Sequence, residues 1–550
     1  MMKSIKIKAM RKAFCIVMYL IMICMFSCQK SQDIQSISLA GKWRFQTDIN
    51  DHGIEAKWYS TNLKEMIRLP GSMRDSGKGE DLSLKTQWTG TIYDSSWYFN
   101  PHMEKYRQPG NLKFPFWLTP NKHYVGPAWY QRTVQIPKHW NQKRITLFLE
   151  RLHWETTVWV DDKPVGIHNS LSTPHKYNLS ALLTTGKHVI TIRVDNRIKE
   201  INPGPDSHSL TDHTQGNWNG IIGEISLNAD SLVYLNNIQL FPDINQKSVN
   251  VQMHIQNETQ KIVTCTIQLL VQAQNSETDK AFKRISKTLT IIGDRADVKM
   301  NYPMGEEIEL WDEFNPNLYT MKVELSAAEA QYDIQNIQFG MRQFAARGTR
   351  FEINGRPVFL RGTVECCVFP LTGYPPTDVN AWKHVFDTCR DHGLNHMRFH
   401  SWCPPKAAFI AADQTGFYLQ VEGPSWTNHG TSLGDGAPID TYIYEETQRI
   451  LDAYGNHPSF CMMAYGNEPA GRHQVKYLGK YVNHFKGKDN RRLYTSASIG
   501  MSWPLVPENE FIVRSGPRGL PWEKRPESQF DYHHKIENAD VPYIAHEMGQ

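Results

Sequence analysis

Pro458-Ser459-Phe460-Cys461-Met462-Met463-Ala464-Tyr465-Gly466-Asn467-Glu468-Pro469 is a largely apolar run that ends abruptly in a glycine, an amide, a carboxylate and a proline. It reads as a strand closed by turn formers. A second carboxylate stands in the same situation at Ala545-His546-Glu547-Met548-Gly549, after another short apolar run. Two glutamates at the ends of strand-like runs are what cleavage of a glycosidic bond requires. One carboxyl group protonates the departing oxygen while the other meets the positive charge on the anomeric carbon.

Around this stretch, from Phe351 onward, strand-like and helix-like segments alternate. Val358 to Gly362 precedes a predicted helix over 379–392, Asn395 to His400 one over 405–415, Gly416 to Glu422 one over 440–454, and Ser459 to Tyr465 one over 473–485. Further strands are expected at 493–497, 530–533 and 542–545, which makes seven. This rhythm implies parallel strands in a (β/α)8-type barrel, whose active site lies at the C-terminal ends of the strands. Glu468 follows the fourth strand and Glu547 ends the seventh, which face each other across a ring of eight. The sequence stops at Gln550, three residues past Glu547, so the expected barrel lacks its last unit. A fragment, an interrupted reading frame, or completion by another chain would each account for that.

Upstream the texture is β throughout. Gly41 to Phe45, Ile67 to Ser72, Trp129 to Val134, Arg144 to Glu150, Thr156 to Val160 and His188 to Val194 alternate apolar and polar residues between turns, the pattern of a sandwich or jelly roll over 38–228. Residues 229–342 alternate again, as in Ser248 to Ile255, and carry no cluster suited to chemistry; an immunoglobulin-like sandwich with a spacing role is expected. The catalytic barrel then occupies 343–550. A chain of 550 residues is too long for one core, in keeping with several domains.

With 60 Lys and Arg against 56 Asp and Glu, and no basic stretch beyond the first dozen residues, nucleic acid is excluded as a partner. The 16 Trp and 23 Tyr lie largely beside Gly, Pro, Asn and Asp, where flat rings suit sugar faces, although all-β cores use aromatics too. Lys3, Lys6, Lys8, Arg11 and Lys12 precede an apolar run from Ala13 to Phe26, a targeting segment over 1–28 too short to span a membrane. It ends in Met25-Phe26-Ser27-Cys28, which resembles the lipobox of bacterial lipoproteins. Cys28 would carry the lipid, giving a periplasmic or outer-membrane protein held by its lipid anchor alone, with a plain cleaved signal as the alternative. Cys265, Cys366, Cys367, Cys389, Cys403 and Cys461 read as buried free thiols.

The order Leu39-x-Gly41-x-Trp43-x-Phe45, Leu69-Pro70-Gly71, Trp159-Val160-Asp161, Val194-Asp195-Asn196 and Gly216-Asn217-Trp218-Asn219-Gly220-Ile221-Ile222-Gly223 resembles the N-terminal sugar-binding domain of glycoside hydrolase family 2. Leu310-Trp311-Asp312, Pro316-Asn317-Leu318-Tyr319 and Phe339-Gly340-Met341-Arg342 resemble its middle module. By the same resemblance Asn467-Glu468-Pro469 matches the acid/base motif and His546-Glu547-Met548-Gly549 the nucleophile. The resemblance implies an exo-acting, β-galactosidase-like enzyme releasing a terminal β-linked sugar from an oligosaccharide or polysaccharide, without a cofactor, and a homo-oligomer as in relatives. A non-catalytic glycan-binding lipoprotein and an endo-acting glycanase are the alternatives.

Carboxylates about 5 Å apart favour the retaining, double-displacement route. The charge on Glu547 would raise the pKa of Glu468, and the two would titrate as a pair. Asn467 suits the sugar 2-hydroxyl. Arg398 and His400 alternate on the second strand and so share a face; resemblance places Arg398 near Glu547, and a salt bridge within the mouth is the plainer role for both. Tyr532 or His533, ending the expected sixth strand, would bond Glu547. Trp402 and Trp426 follow the second and third strands and suit either a sugar ring or the core. Glu422 is the rival carboxylate, with a structural or hydroxyl-binding role expected. His392, His396, His400 and Cys403 share no common face, so no metal site is expected.

Overall fold

The computed structural model describes residues 35–92, 94–114, 120–212, 214, 217–274, 282–327, 330–428, 430–515 and 536–546. Cys28, Tyr532, His533 and Glu547 lie outside these residues. The chain divides into Met1–Ile37 and Ser38–Gln550, and all that follows concerns the second unit.

Its first portion is a pair of antiparallel sheets. One runs in the order Glu65–Leu69, Gly41–Thr47, Pro127–Ile136, Gly186–Asp195, Glu155–Val160, Lys163–His168. The other sets Arg144–Leu152 between Gly220–Asp230 and His175–Asn178. The apolar positions read from the alternation, among them Trp43, Phe45, Tyr130, Leu147, Ile192 and Leu227, are fully buried. Polar bonds also cross between the sheets: the Thr156 hydroxyl meets His175 Nδ1 and the Tyr177 hydroxyl at 2.6 Å each.

A second sandwich follows. Val233–Asp243, Ser248–Asn257 and Arg295–Pro303 form one sheet, and Ile285–Ile291, Val263–Ala273, Tyr319–Ala327 and Ala330–Phe339 the other. Val251, Ile255, Ile267, Leu269, Met321 and Val323 share its core. Strict period-two burial in Val263–Ala273 shows why the sequence pattern was legible: one face meets the opposite sheet and the other meets water.

The expected first strand of the α/β portion differs from the observed one. Arg356–Val358 belongs to a three-stranded antiparallel hairpin sheet with Phe344–Arg347 and Arg350–Ile353. Asn354 and Gly355 both take positive φ, 54° and 75°, the two-residue turn whose twist suits a hairpin and which Asn-Gly favours. The parallel strands begin later: β1 (Gly362–Glu365), β2 (His396–Phe399), β3 (Tyr418–Glu422), β4 (Phe460–Ala464) and β5 (Leu493–Thr495) pair in that order. Between them run α1 (Val379–Asp391), α2 (Lys406–Thr415), α3 (Pro438–Tyr454) and α4 (Gln474–Lys488). Asp378 caps α1 by accepting the Ala381 amide at 2.9 Å, and Gly416, at φ 71°, ends α2.

A strand that the sequence analysis does not expect pairs with the last one. Ser498–Ile499, β6 (Ile512–Ser515) and β7 (Tyr543–His546) form a parallel sheet. The expected strand at 530–533 lies outside the described residues. Periodicity is a poor guide to strands of four residues, which offer two positions per face.

Residues of both sandwiches lock onto the α/β portion. Arg342, at the end of the second sandwich, donates to the carbonyls of Pro458 and Phe460 at 3.0 Å each and to that of Arg491. Ser170 Oγ and Ser172 N of the first both donate to Glu446 Oε1 on α3 at 2.9 Å. Replacing Arg342 by Met keeps volume but strips donors from carbonyls held inside the structure. The expected cost is on the order of 3 kcal/mol, read as a lower thermal midpoint; an unchanged midpoint would show that Arg342 does not hold the two portions together.

Candidate active site

The C-terminal edge of the parallel strands gathers most of the described candidates. Glu422, the last residue of β3, is fully buried and forms an ion pair with Arg398 Nε of β2 at 2.7 Å. It also accepts from Ser401 N at 2.6 Å and from Ser498 Oγ at 2.5 Å. A carboxylate so occupied and so dry is a structural acceptor, so this rival to Glu468 has no route to a substrate proton.

Arg398 reaches further. Its Nη2 donates to Asn467 Oδ1 at 2.6 Å and its Nη1 to His546 Nδ1 at 3.0 Å, so one guanidinium joins β2, β3, the end of β4 and the end of β7. Two assignments follow, because arginine only donates. The Asn467 oxygen must face the guanidinium, which turns its NH2 away. The His546 Nδ1 must be the acceptor, so its Nε2–H donates to the Ile499 carbonyl, 3.2 Å away.

Glu468 is placed by the backbone beyond β4. Asn467 makes parallel bridges to Trp426 on one side and Ser498 on the other, extending the ladder past the strand ends. Glu468 itself takes φ 29°, uncommon for a side-chain-bearing residue, with its N–H donating to Ser498 O at 2.8 Å and its carbonyl accepting from Asn428 N at 3.1 Å. Gly466 is required because a Cβ there would stand 2.1 Å from Ser425 O. The Glu468 carboxylate is half-buried, and Oε2 accepts from Trp426 Nε1 at 3.2 Å.

His400 and Trp426 are in this mouth, their rings 4.9 Å apart. Burial, with the nearby His208, Arg398 and His546, pushes the His400 pKa well below the usual imidazole range, so it stays neutral. Trp402 is a correction. It is 1 % exposed and packs edge-on against Phe399, with Trp382 and Phe369 around it, while its Nε1 donates to Glu365 O at 3.1 Å. The chain turns at Ser401, φ 52°, which sends the next side chain into the core and away from the mouth.

Sequence reasoning missed His208, Ser401, Trp503 and Glu365. His208, from the first sandwich, lies with its ring 4.2 Å from that of His400. Its N–H donates to Ser401 Oγ at 2.9 Å, and the hydroxyls of Ser207 and Ser209 donate to Ser401 O. The long connection from Asn196 to Asn219, with no strand among its described residues, was the available signal, since such loops in compact domains carry function. Trp503 stands beside Glu468 across Gly500, where a Cβ would lie 2.8 Å from the indole and 3.4 Å from Glu468 Oε1. Glu365 ends β1; burial pushes its carboxyl up to about 7, against the opposing N–H bonds from Cys367 and Val368.

The Arg398–Glu422 pair gives a sharp test. Arg398→Met alone leaves a buried carboxylate unpaired and is expected to cost about 3–5 kcal/mol, whereas Arg398→Met with Glu422→Leu should cost much less than the sum of the singles. Additive costs in denaturant unfolding would contradict this coupling.

Comparison with known proteins adds to this geometry. The family models described as "Glycosyl hydrolases family 2, sugar binding domain" and "Glycosyl hydrolases family 2" match residues 36–230 and 233–342. A β-galactosidase of Priestia megaterium is 20% identical over 479 residues, covering 83% of this chain and 43% of that protein. A β-glucuronidase of Paenibacillus borealis is 22% identical over 493 residues, covering 85% and 73%. The chain thus spans less than half the length of the first of these relatives. A solved β-glucuronidase from Ruminococcus gnavus, in complex with D-glucuronic acid, has the same fold at a TM-score of 0.70 and 17% identity, covering 93% of this chain and 82% of its own.

Proposed function

Because the chain belongs to glycoside hydrolase family 2, we propose that it is a retaining exo-β-glycosidase in which Glu468 is the acid/base and Glu547 the nucleophile, on a (β/α)8-type barrel. The observation that carries this reading is the Arg398 guanidinium, which links Asn467 beside Glu468 to His546, the residue before Glu547 in the sequence. In the first half-reaction Glu547 attacks the anomeric carbon as Glu468 protonates the departing oxygen. In the second, Glu468 accepts a proton from water, which displaces the sugar from Glu547. The Asn467 NH2, turned away from Arg398, is the donor for the 2-hydroxyl, a bond that strengthens as charge develops.

A neutral sugar of the galactoside type is the favoured substrate. Among the described residues of the mouth, Arg398 is committed to Glu422, Asn467 and His546, Arg514 donates to the carbonyls of Gly500, Met501 and Trp503, and His400 is held neutral. None of these commitments offers a cation to a uronate. The relatives named as β-glucuronidases make glucuronides the competitor to test.

Aryl β-galactosides, glucosides, mannosides and glucuronides offered to the protein would decide. Release is expected from galactoside, with Glu468→Ala losing about 10²–10⁴-fold on poor leaving groups, azide restoring turnover only of activated aryl glycosides, whose departure needs no proton, and Glu547→Gln inactive. A 2-deoxy-2-fluoro glycoside should label Glu547. No release from any substrate by folded protein would sink the reading.

By the lipobox reading the enzyme is held to a membrane through Cys28. Cys28→Ala should move it from the detergent phase to the soluble fraction of expressing cells; unchanged partitioning would remove the anchor.

A further inference from the structure

We propose that Trp426 is a positioning residue for the Glu468 carboxyl and that His208 of the first sandwich holds Trp426 in place through His400, which makes that sandwich part of the acid/base apparatus. The proposal rests on Glu468 having the role assigned above.

The Trp426 indole has one donor, and it is directed at Glu468 Oε2, 3.2 Å away. A fixed donor on one oxygen restricts the turning of a carboxyl group about its last bond and so bears on the plane in which the proton is presented. The indole in turn is fixed from two sides. Its ring meets His400 at 4.9 Å and His208 at 5.8 Å, both edge-on, while the two imidazoles lie 4.2 Å apart. Its backbone is gripped by the same sandwich: Trp426 N donates to Pro203 O at 2.8 Å, as does Ser425 Oγ at 3.0 Å. Gly204 lets this happen, because a Cβ there would stand 1.8 Å from Trp426 O. The segment carrying His208 is itself anchored, through Ser207, His208 and Ser209, on Ser401. The sandwich therefore meets the acid/base residue through a short chain of packed rings ending in one hydrogen bond.

General acid catalysis matters for leaving groups that depart poorly without a proton and little for those that need none. Trp426→Phe keeps a ring for the histidines but loses the N–H. It should lower kcat/KM, which reports the first half-reaction, about tenfold or more on alkyl and sugar leaving groups, with little change on dinitrophenyl glycosides. His208→Ala should do the same, and His208→Phe, which restores a ring against His400 and Trp426, should recover most of the loss. Equal losses on every leaving group, or no difference between His208→Ala and His208→Phe, would overturn the proposal.

A second readout does not depend on turnover. In protein labelled with 15N-tryptophan, the Trp426 indole resonance is assigned by its loss in Trp426→Phe. It should move on Glu468→Gln and on His208→Ala. An indole signal indifferent to Glu468→Gln would likewise overturn the positioning role. If no glycoside is turned over, the functional reading fails, and the indole resonance still decides whether Trp426 and His208 hold Glu468.

Discussion

The guanidinium of Arg398 is the constraint on which the mouth of the α/β portion depends. It is 3% exposed and must satisfy its donors where little water reaches, and its acceptors include, among the described residues, a buried carboxylate, an amide oxygen and an imidazole nitrogen on separate strands. A buried cation without such partners would carry a large desolvation cost, so each acceptor is held as firmly as the cation itself. Glu422 is thereby removed from chemistry. Asn467 is orientated, and His546 is fixed in one tautomer.

A second tier rests on that arrangement. Ser498 donates to Glu422 through its hydroxyl and receives the Glu468 amide at its carbonyl, so the residue that completes the buried ion pair also supports the unusual backbone at Glu468. Ser401 plays a similar part on the other side, with its N–H on Glu422 and its hydroxyl and carbonyl taken by Ser207, His208 and Ser209. Through these two serines the electrostatics of the core are tied to the first sandwich, a region remote in sequence. The sandwich is a wall of the site as well as a neighbour, and the second sandwich, joined through Arg342, grips the chain where β4 and β5 begin.

The sequence misled where local pattern and tertiary environment disagree. Val358 to Gly362 has the apolar character of a buried strand, yet Asn354-Gly355 folds its first part back into a hairpin, because both turn residues accept positive φ. Trp402 follows a strand at the mouth, as a sugar-stacking ring should, but the left-handed turn at Ser401 sends it into a cluster of Trp382, Phe399 and Phe369. Ile512 to Ser515 is a strand of four residues, and its pairing with Tyr543 to His546 is a contact between distant segments that no local window contains.

By itself the sequence determined the two β sandwiches, the alternation of strands and helices after them, the family, and the carboxylate Glu468 at a strand end. These are legible because they rest on period-two burial, on helix period and capping, and on a short motif, each contained within a few neighbouring residues. The tertiary structure alone decided that Glu422 is structural, that Trp402 is core, and that His208 and Trp503 belong beside Glu468. Those roles depend on which side chains converge across strands and between sandwich and α/β portion. Convergence of that kind is set by long-range packing, to which the local identity of a residue gives no guide.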